Sequence, residues 1–591
     1  MTHSDRNTNA ANGEPAPQRS GIAPLADSPA ARAQLADTIV LIPAAGRVAE
    51  GVMALSNIGC PAMVPVAGRP VIHWTISYLR SLGLRRFAIA VSRRGMFVED
   101  FVECSFGQDC EITFLLPSAD GGVGRTVLDL AEQAKGKSAL VVLGDTHFQF
   151  ADPQILIRDE AAVLVDQVDD SYRWCTADTD SNGLITELHD KEAGLPAPLQ
   201  ALIGVYYFPS LDQLQSAARE AVAAHEPLDQ RTEFADILEI IRRERPIRAV
   251  QAGDWLDCGN PDRQASSHRT LLQKREFNDL SIDSVLGTVT KRSRYVEKFL
   301  DEINYLRLLP PELAVLFPRV LGYSTDWQDP WVTLEYYGYP TLAEAFVFEN
   351  VDPGVWERVF VHLRDILLQG FMRHRRPMSP EVLEEMYLGK TRARLERLSA
   401  SPELLALVGH SGQVTINGQE VDNLPLLWDR LGRDVERLAE NVQGCVVHGD
   451  LCLSNILYDL RSRVCKFIDP RGSFGSAGIY GDPRYDVAKL YHSIYGLYDF
   501  ITNDLFHVEI DGNRVELDIR SRPQHAQIQE RFEKVFFAEF DRREILLITG
   551  LLFASMPALH YDAPRRQMAM YARALQLFGE AYAPAPAAKS R

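Results

Sequence analysis

The chain has 591 residues, with 62 Lys and Arg against 80 Asp and Glu, a formal charge of -18 and 46% hydrophobic residues. That length exceeds one hydrophobic core and predicts two or three domains, while the acidic balance excludes a general nucleic-acid binder, whose phosphate contacts need a basic surface. No apolar run approaches the ~20 residues of a membrane span, and eight scattered cysteines, with no Cys-x-x-Cys pair and no His partners at zinc spacing, predict reduced thiols in a cytoplasmic protein without disulfide framework or structural metal.

Residues 1–37 are polar, rich in Ala, Asn, Ser and Pro, and lack an apolar signal core. They are expected to be disordered, as is the tail 583–591. Thr38-Ile39-Val40-Leu41-Ile42 is a short apolar run ahead of Pro43-Ala44-Ala45-Gly46, the pattern of a buried strand entering a phosphate-facing loop. Ile72, Ile76, Leu79 and Leu82 share one face of a predicted helix that Gly83 ends. Phe87–Val91 and Leu140–Asp145 read as further strands, the second ending in an acidic residue at the carboxyl edge, where open α/β sheets bind ligands.

Taken in order, these stretches resemble the sugar-phosphate nucleotidyltransferases. Ile42–Gly46 matches that family's opening loop, Pro65-Val66-Ala67-Gly68-Arg69-Pro70 its second signature, and Leu143-Gly144-Asp145 its first metal carboxylate. Asp190-Lys191 is similar to the step that meets the substrate phosphate, Gly204–Phe208 to the strand after it, and Trp255–Pro261 to the closing signature, whose aspartate is Asp257. The resemblance implies a Rossmann-like domain over 38–262. In it Ala45, Gly46 and Arg47 would meet a nucleoside triphosphate (CTP or UTP), Asp145 and Asp257 would share a divalent metal, and Lys191 would act on the substrate phosphate. Three departures matter. Val48 stands where the family has a glycine, Glu50 where it has an arginine, and Cys60-Pro61-Ala62-Met63 lacks its lysine; the first lysine of the chain is Lys135. Each cation missing beside a triphosphate costs about 2–4 kcal/mol of transition-state stabilisation. The domain is therefore either a transferase in which Arg47 or Arg69 stands in, or a non-catalytic nucleotide or sugar binder.

Residues 263–280 read as a polar linker. Val285–Lys291 then alternates like a strand, and Glu302 lies on a predicted helix, Val296–Leu308. A strand lysine paired with a helix glutamate aims an ammonium at ATP phosphates; the alternatives are a solvated strand end and an exposed helix face. Trp331–Tyr337 reads as the strand before a hinge. Trp356, Val359, Phe360, Leu363 and Leu367 form a core stripe, whereas Lys390, Arg392, Arg394 and Arg397, on a helix over 380–398, read as a solvated face. Asn417-Gly418 and Asp511-Gly512 signal hairpins, the second with Val508 and Ile510 facing Val515 and Leu517.

Between them lies the most informative stretch, Val446-Val447-His448-Gly449-Asp450-Leu451-Cys452-Leu453-Ser454-Asn455-Ile456-Leu457, closed by Phe467-Ile468-Asp469. Two apolar strand ends and a tight loop would gather Asp450, Asn455 and Asp469 at one end of a small sheet. Phosphoryl transfer needs such a set, a carboxylate to orient the attacking hydroxyl and an oxygen pair to hold Mg²⁺. The order His-x-Asp-x-x-x-x-Asn followed by Ile-Asp resembles the aminoglycoside phosphotransferase and choline kinase family. It implies a bilobal protein-kinase-like domain, with a small lobe over 281–345 and a helical lobe over 346–582. Asp450 would be the base, with His448 also among the catalytic residues; Asn455 and Asp469 would be metal ligands, Lys291 and Glu302 ATP-site residues, and Asp486 the brace of the catalytic loop. Tyr485, Tyr491, His492, Tyr495 and Tyr498 read as a buried aromatic face or an acceptor pocket.

The expected fold is thus α/β, a nucleotidyltransferase domain fused to a kinase-like phosphotransferase. The expected function is a bifunctional enzyme that phosphorylates a sugar or amino-alcohol hydroxyl with ATP and Mg²⁺, then couples the phosphate to a nucleotide for surface polysaccharide or lipid precursors. The alternative keeps the kinase and makes the first domain a binder. A regulatory scaffold without chemistry is disfavoured by the Asp450, Asn455 and Asp469 set. Its partners are small molecules, with no nucleic acid and no membrane insertion, and no oligomeric state is implied.

Overall fold

A computed structural model of the chain describes residues 29–46, 60–92, 96–117, 121–169, 171–225, 230–258, 278–440 and 442–583. Arg47, Val48, Glu50 and Gly259–Pro261 lie outside the described residues, as do 1–28, most of the expected linker and 584–591.

The first half is built on strands β1 (Thr38–Pro43), β2 (Pro65–Val66), β3 (Arg69–Pro70), β4 (Arg86–Ala90), β5 (Glu111–Leu115), β6 (Ser138–Val142), β7 (Thr146–Phe150), β8 (Ala161–Val168), β9 (Cys175–Thr179), β10 (Ile185–Asp190), β11 (Leu199–Phe208) and β12 (Ile247–Asp257). The main sheet runs β5-β4-β1-β6-β11-β8-β12-β7, with the β9–β10 pair branching from β11. Strand β1 pairs parallel with β4 and β6. Its Val40 and Ile42 enter one apolar cluster and Ile39 and Leu41 another. Covered on both faces, it has no place for a polar residue between apolar ones, hence the unbroken run.

Helix α1 (Pro29–Ala36) corrects one expectation, since these residues, expected to be disordered, form a helix. Its Ala31 and Leu35 are buried, and Gln34 donates to the Tyr207 hydroxyl at 3.3 Å. The segment is alanine-rich, and alanine favours a helix once Ala31 and Leu35 have a surface to bury against.

Helix α2 (Val71–Ser81) follows β3 and buries Ile72, Ile76 and Leu79. Helices α3 (Met96–Phe106), α4 (Gly122–Gln133), α5 (Leu211–His225) and α6 (Phe234–Glu244) also belong to this half.

The second half opens with a four-stranded antiparallel sheet of β13 (Asn278–Asp283), β14 (Thr288–Ser293), β15 (Val320–Ser324) and β16 (Trp331–Glu335), in the order β13-β14-β16-β15. Helix α7 (Val296–Leu308) packs Phe299 and Ile303 against Val332 of this sheet. Strand β13 starts inside the segment expected to be linker, and the strand expected over Val285–Lys291 starts at Thr288, because Val285 and Leu286 sit exposed in the turn.

The large lobe contains α8 (Leu342–Phe348), α9 (Pro353–Gln369), α10 (Pro380–Glu384), α11 (Lys390–Glu396), α12 (Pro483–Ile494), α13 (Tyr498–Thr502), α14 (Arg542–Ser555) and α15 (Pro564–Tyr582) among its helices. The expected stripe of α9 is buried. The single helix expected over 380–398 is instead interrupted by a π turn, Glu385–Gly389, between α10 and α11. Both hairpins form, with Val508 opposite Leu517 and Ile510 opposite Val515. All eight cysteines are free thiols. Among the described residues, no helix is long and apolar enough to cross a membrane.

The halves pack closely. Strands β2 and β3 form a hairpin whose two central residues, Ala67 (φ 52) and Gly68 (φ 83), are both left-handed, the geometry of a tight two-residue turn. Its tip docks on the second half: the Gly68 N–H donates to Glu344 Oε1 at 2.8 Å, and Arg69 donates to the Thr502 carbonyl at 2.9 Å and faces Asp504 at 3.5 Å. Nearby, Phe101 meets Phe348 edge-on, with ring centroids 5.9 Å apart.

Candidate active sites

The loop from His448 to Asn455 leaves a short strand, Gln443–Val446, and is fixed from below by α12. Asp486 accepts the backbone N–H of His448 at 2.7 Å and of Gly449 at 2.9 Å. Burial raises its carboxyl to about 7, against the opposing pull of those two donors. His448 is fully buried, and both ring nitrogens are committed: Nε2 donates to the Ile468 carbonyl at 3.0 Å, and Nδ1 accepts the Asp450 N–H at 3.2 Å. Burial lowers it to about 4, so the ring is neutral. His448 was expected among the catalytic groups; the geometry instead makes it a positioning residue, with no face open to a substrate.

The Asp450 carboxylate is half exposed and takes a buried ammonium, Lys489 Nζ, at 2.7 Å. Burial works to raise the Asp450 pKa, but Lys489 outweighs it and holds the carboxyl below its usual range. Asn455 donates through Nδ2 to the Asp450 carbonyl at 2.8 Å, which leaves its amide oxygen for another partner. The Ile468 N–H returns to the Asn455 carbonyl at 3.0 Å and ties Asp469 to the same loop.

Across the cleft, Lys291 on β14 places Nζ 2.8 Å from both Glu302 oxygens and 2.9 Å from Asp469 Oδ1. Burial opposes this charge, yet Asp469 and Glu302 outweigh it and hold the ammonium above its usual value. The small lobe is pressed onto the loop after Asp469. Gly472 (φ 69) lies against the Asp301 carbonyl of α7 so tightly that a Cβ would collide with it.

Lys291, Glu302, Asn455 and Asp469 all line one cleft of about 1060 Å³. The hinge residues Glu335, Tyr336 and Tyr337 line it too, and so do Arg69, Trp74, Tyr78 and His147 of the first half. Part of the cleft wall is therefore built by the other domain. The Asn455 amide oxygen and the Asp469 carboxylate are hard oxygen donors and fit a magnesium ion.

At the sheet edge of the first half, β12 pairs with β7 so that Asp257 stands opposite Thr146, and the Cys258 N–H donates to the Asp145 carbonyl at 3.1 Å. Asp145 and Asp257 thus end neighbouring segments at one edge, and their oxygen donors also suit a divalent cation. Burial raises the Asp145 carboxyl. Ala45 and Gly46 follow β1 at the same edge of the sheet, and Gly46 is exposed. Lys191, with φ 55, is exposed at the end of β10, its N–H held by the Trp174 carbonyl at 3.0 Å. Arg69 does not stand in for a missing cation, because Thr502 and Asp504 of the second half engage it.

Residues 44–274 match the family model for nucleotidyl transferases, and residues 284–505 match the model for the phosphotransferase enzyme family. The chain joins two enzyme families. A relative of the nucleotidyl transferase half, the low-salt glycan biosynthesis nucleotidyltransferase Agl11 of Haloferax volcanii, is 20% identical over 254 residues, which is 41% of this chain and 69% of that protein. A solved structure of UDP-glucose pyrophosphorylase complexed with UDP-glucose aligns at 18% identity over 40% of this chain and 99% of that one, with a TM-score of 0.35. HddC from Yersinia pseudotuberculosis aligns at 18% identity over 39% of this chain and 99% of its own, with a TM-score of 0.32.

Sequence reasoning missed Lys489 of the phosphotransferase half. The signal was present: Lys489 lies three residues after Asp486 on one helix, and residues so spaced share a face. It also missed Glu344, which caps α8 through Thr341 and accepts Gly68, and Asp499, a buried carboxyl raised to about 6 by burial that lines the cleft. Of the aromatic cluster, only Tyr498 lines the cleft; Tyr491 and Tyr495 stack on each other at 4.8 Å away from it.

Proposed function

We propose that the chain is a bifunctional enzyme, an ATP-dependent phosphotransferase acting on the hydroxyl of a small sugar-like acceptor and a nucleotidyltransferase acting on the resulting phosphate, in the synthesis of surface polysaccharide or lipid precursors. The observation that carries the first activity is the Lys291, Glu302 and Asp469 contact across a cleft that Asn455 shares. Lys291 holds the ATP phosphates. Asp450 orients the acceptor hydroxyl and receives its proton as the oxygen bonds to the γ-phosphorus; the bond from that phosphorus to the β-bridging oxygen breaks, and ADP leaves. Mg²⁺ at Asn455 and Asp469 would neutralise the β- and γ-phosphate charge. Asp486 keeps the loop in register. In the first half, Ala45, Gly46 and Arg47 would receive the nucleoside triphosphate, Asp145 and Asp257 would hold a divalent metal that neutralises phosphate charge, and Lys191 would meet the sugar phosphate, whose oxygen displaces pyrophosphate from the α-phosphorus.

A second reading is favoured by one observation. Arg69 is engaged by Asp504, so of the two arginines that could replace the missing lysine only Arg47 is left, and the first half is then a nucleotide or sugar binder. Incubation with ATP, Mg²⁺ and a sugar panel, followed by each nucleoside triphosphate, separates the readings. ADP release above an Asp450→Asn control supports the kinase. Pyrophosphate release above Asp145→Ala and Lys191→Ala controls supports the transferase, and its absence leaves the binder.

A further inference from the structure

The cleft that holds Lys291 and Asp469 contains none of a second group of cations, which gathers beside Asp450 from the large lobe alone. Lys489 touches Asp450 directly. Around the buried Tyr485, one turn earlier on α12, Arg471 Nη1 donates to the phenol oxygen at 3.0 Å, and Lys390 Nζ lies 3.2 Å from the same oxygen. Arg394, one turn further along α11, is within electrostatic reach of both Arg471 and Asp450 and donates to the Ser555 hydroxyl at 3.1 Å. Lys390 and Arg394 were expected on a solvated face; the π turn before α11 is followed by a helix whose Arg392 is exposed while Lys390 and Arg394 are half-buried against α12 and α14.

The acids nearby do not balance this charge. Asp450 is taken by Lys489, and Asp482 by Arg484 at 2.8 Å. Among the described residues, Lys390, Arg394 and Arg471 form no ion pair. Burial, with Arg471 and Arg394 pushing the same way, lowers the Lys390 ammonium to about 8 although Tyr485 pulls it up. The Tyr485 phenol is lowered to about 8 because Lys390, Arg471 and Lys489 outweigh its burial. Gathering like charges in a half-buried space is unfavourable unless an anion occupies it.

Resting on the phosphotransferase reading, we propose that the acceptor is an anionic alcohol, a sugar-like hydroxyl compound that also bears a phosphate ester or a carboxylate, and that Lys390, Arg394 and Arg471 hold that anion while Asp450 addresses the hydroxyl. Asp499 lines the cleft with its Oδ2 unpartnered among the described residues, and that oxygen is open to the acceptor's other hydroxyls. A neutral or cationic acceptor would leave these three cations without an ion-pair partner beside Asp450.

The test uses the full chain in two arms. In the first, inorganic phosphate and acetate are titrated by calorimetry with the donor site filled by a non-hydrolysable ATP analogue and Mg²⁺, on wild type, Lys390→Gln and the Lys390→Gln/Arg471→Gln double variant. The expected result is binding of one or both anions, weakened roughly tenfold or more in the variants while the ATP analogue binds as before. Loss of one charge-assisted contact is worth about that factor. Preference for phosphate or acetate tells a phosphate ester from a carboxylate. No anion binding, equal binding to the double variant, or weakened binding of the ATP analogue instead overturns the proposal. In the second arm, ADP release is compared for a hexose, its 6-phosphate and its uronic acid. An anionic member favoured over the neutral sugar, with a KM raised by Lys390→Gln, supports the proposal; a neutral sugar used equally well overturns it. If no acceptor exceeds the Asp450→Asn control, the phosphotransferase reading fails while the binding arm still decides the anion site.

Discussion

Gly68 of the nucleotidyl transferase half donates its backbone N–H to Glu344 Oε1 of the phosphotransferase half at 2.8 Å, and Oε2 of the same carboxylate accepts the Thr341 N–H at 2.8 Å. One side chain therefore closes a helix cap and joins two domains. Glu344→Ala removes both functions, at an expected cost of about 1–3 kcal/mol. It also frees the hairpin that carries Arg69 into the cleft wall. The expected outcome is a lower unfolding temperature together with a raised KM for ATP. A lower unfolding temperature with an unchanged KM would show that the wall does not bear on the nucleotide.

Asp469 contributes one oxygen to Lys291 and is the candidate metal carboxylate of the cleft. Asp469→Ala is expected to weaken magnesium-dependent ATP binding by on the order of 10–100-fold or more, since even outer partners of a metal site reach that range. Calorimetry with and without Mg²⁺ measures it. An unchanged metal dependence would reduce Asp469 to a structural partner of Lys291.

Lys489 holds the Asp450 carboxyl below its usual pKa, in opposition to burial. With Lys489→Met the opposing charge is gone and burial dominates, so the Asp450 pKa rises. The protonated form, which cannot accept the hydroxyl proton, then appears at higher pH. The acid limb of the kcat/KM profile is expected to move upward in Lys489→Met and to stay in place in Lys489→Arg. Coincident acid limbs in Lys489→Met and wild type would rule out this control of the base.

His492 is fully buried between Tyr498 and Phe553, each 4.2 Å away by ring centroid, and neither ring nitrogen finds a hydrogen-bond partner among the described residues. Burial, with the Lys489 charge adding to it, lowers its pKa well below the usual value. A depressed histidine costs nothing above the unfolded value near 6.5. Below it the unfolded chain binds a proton that the native chain refuses, and stability falls as pH falls. His492→Leu removes this dependence, so relative to wild type the variant should gain about 1.4 kcal/mol at one pH unit below that value. Unfolding curves of both proteins at pH 7.5 and 5.5 test it. A difference that stays constant between the two conditions would mean the ring is protonated in the native state.

Local pattern made much of this architecture legible. Helix α7 has the bounds expected from Val296 to Leu308, and the Val508–Leu517 and Ile510–Val515 pairs follow from the alternation on either side of Asp511-Gly512. Strand β1 was visible because both its faces are covered, which leaves an unbroken apolar run. What escaped depended on partners distant in sequence. Lys390 reads as a surface lysine until α12, nearly a hundred residues on, places Tyr485 against it. Arg69 looks available to a triphosphate until Thr502 and Asp504 take its guanidinium. Helix α1 is short and alanine-rich with a single leucine, and it forms where Ala31 and Leu35 find a surface to bury against. The β13 strand was hidden by its charged neighbours, although Leu280 and Ile282 alternate within it.

The cleft wall made by Trp74, Tyr78 and His147 has a consequence for how such a chain can be inherited. A gene for the phosphotransferase half alone would encode a cleft open on one side, with Phe348 stripped of Phe101 and Asp504 stripped of Arg69. A gene for the other half alone would encode a hairpin whose Gly68 N–H loses Glu344 and whose Arg69 loses Thr502 and Asp504. Exchanging either module for one from a separate ancestor would therefore require reshaping both faces at once. That binds the two activities into a single unit of descent, even where their chemistry could run apart.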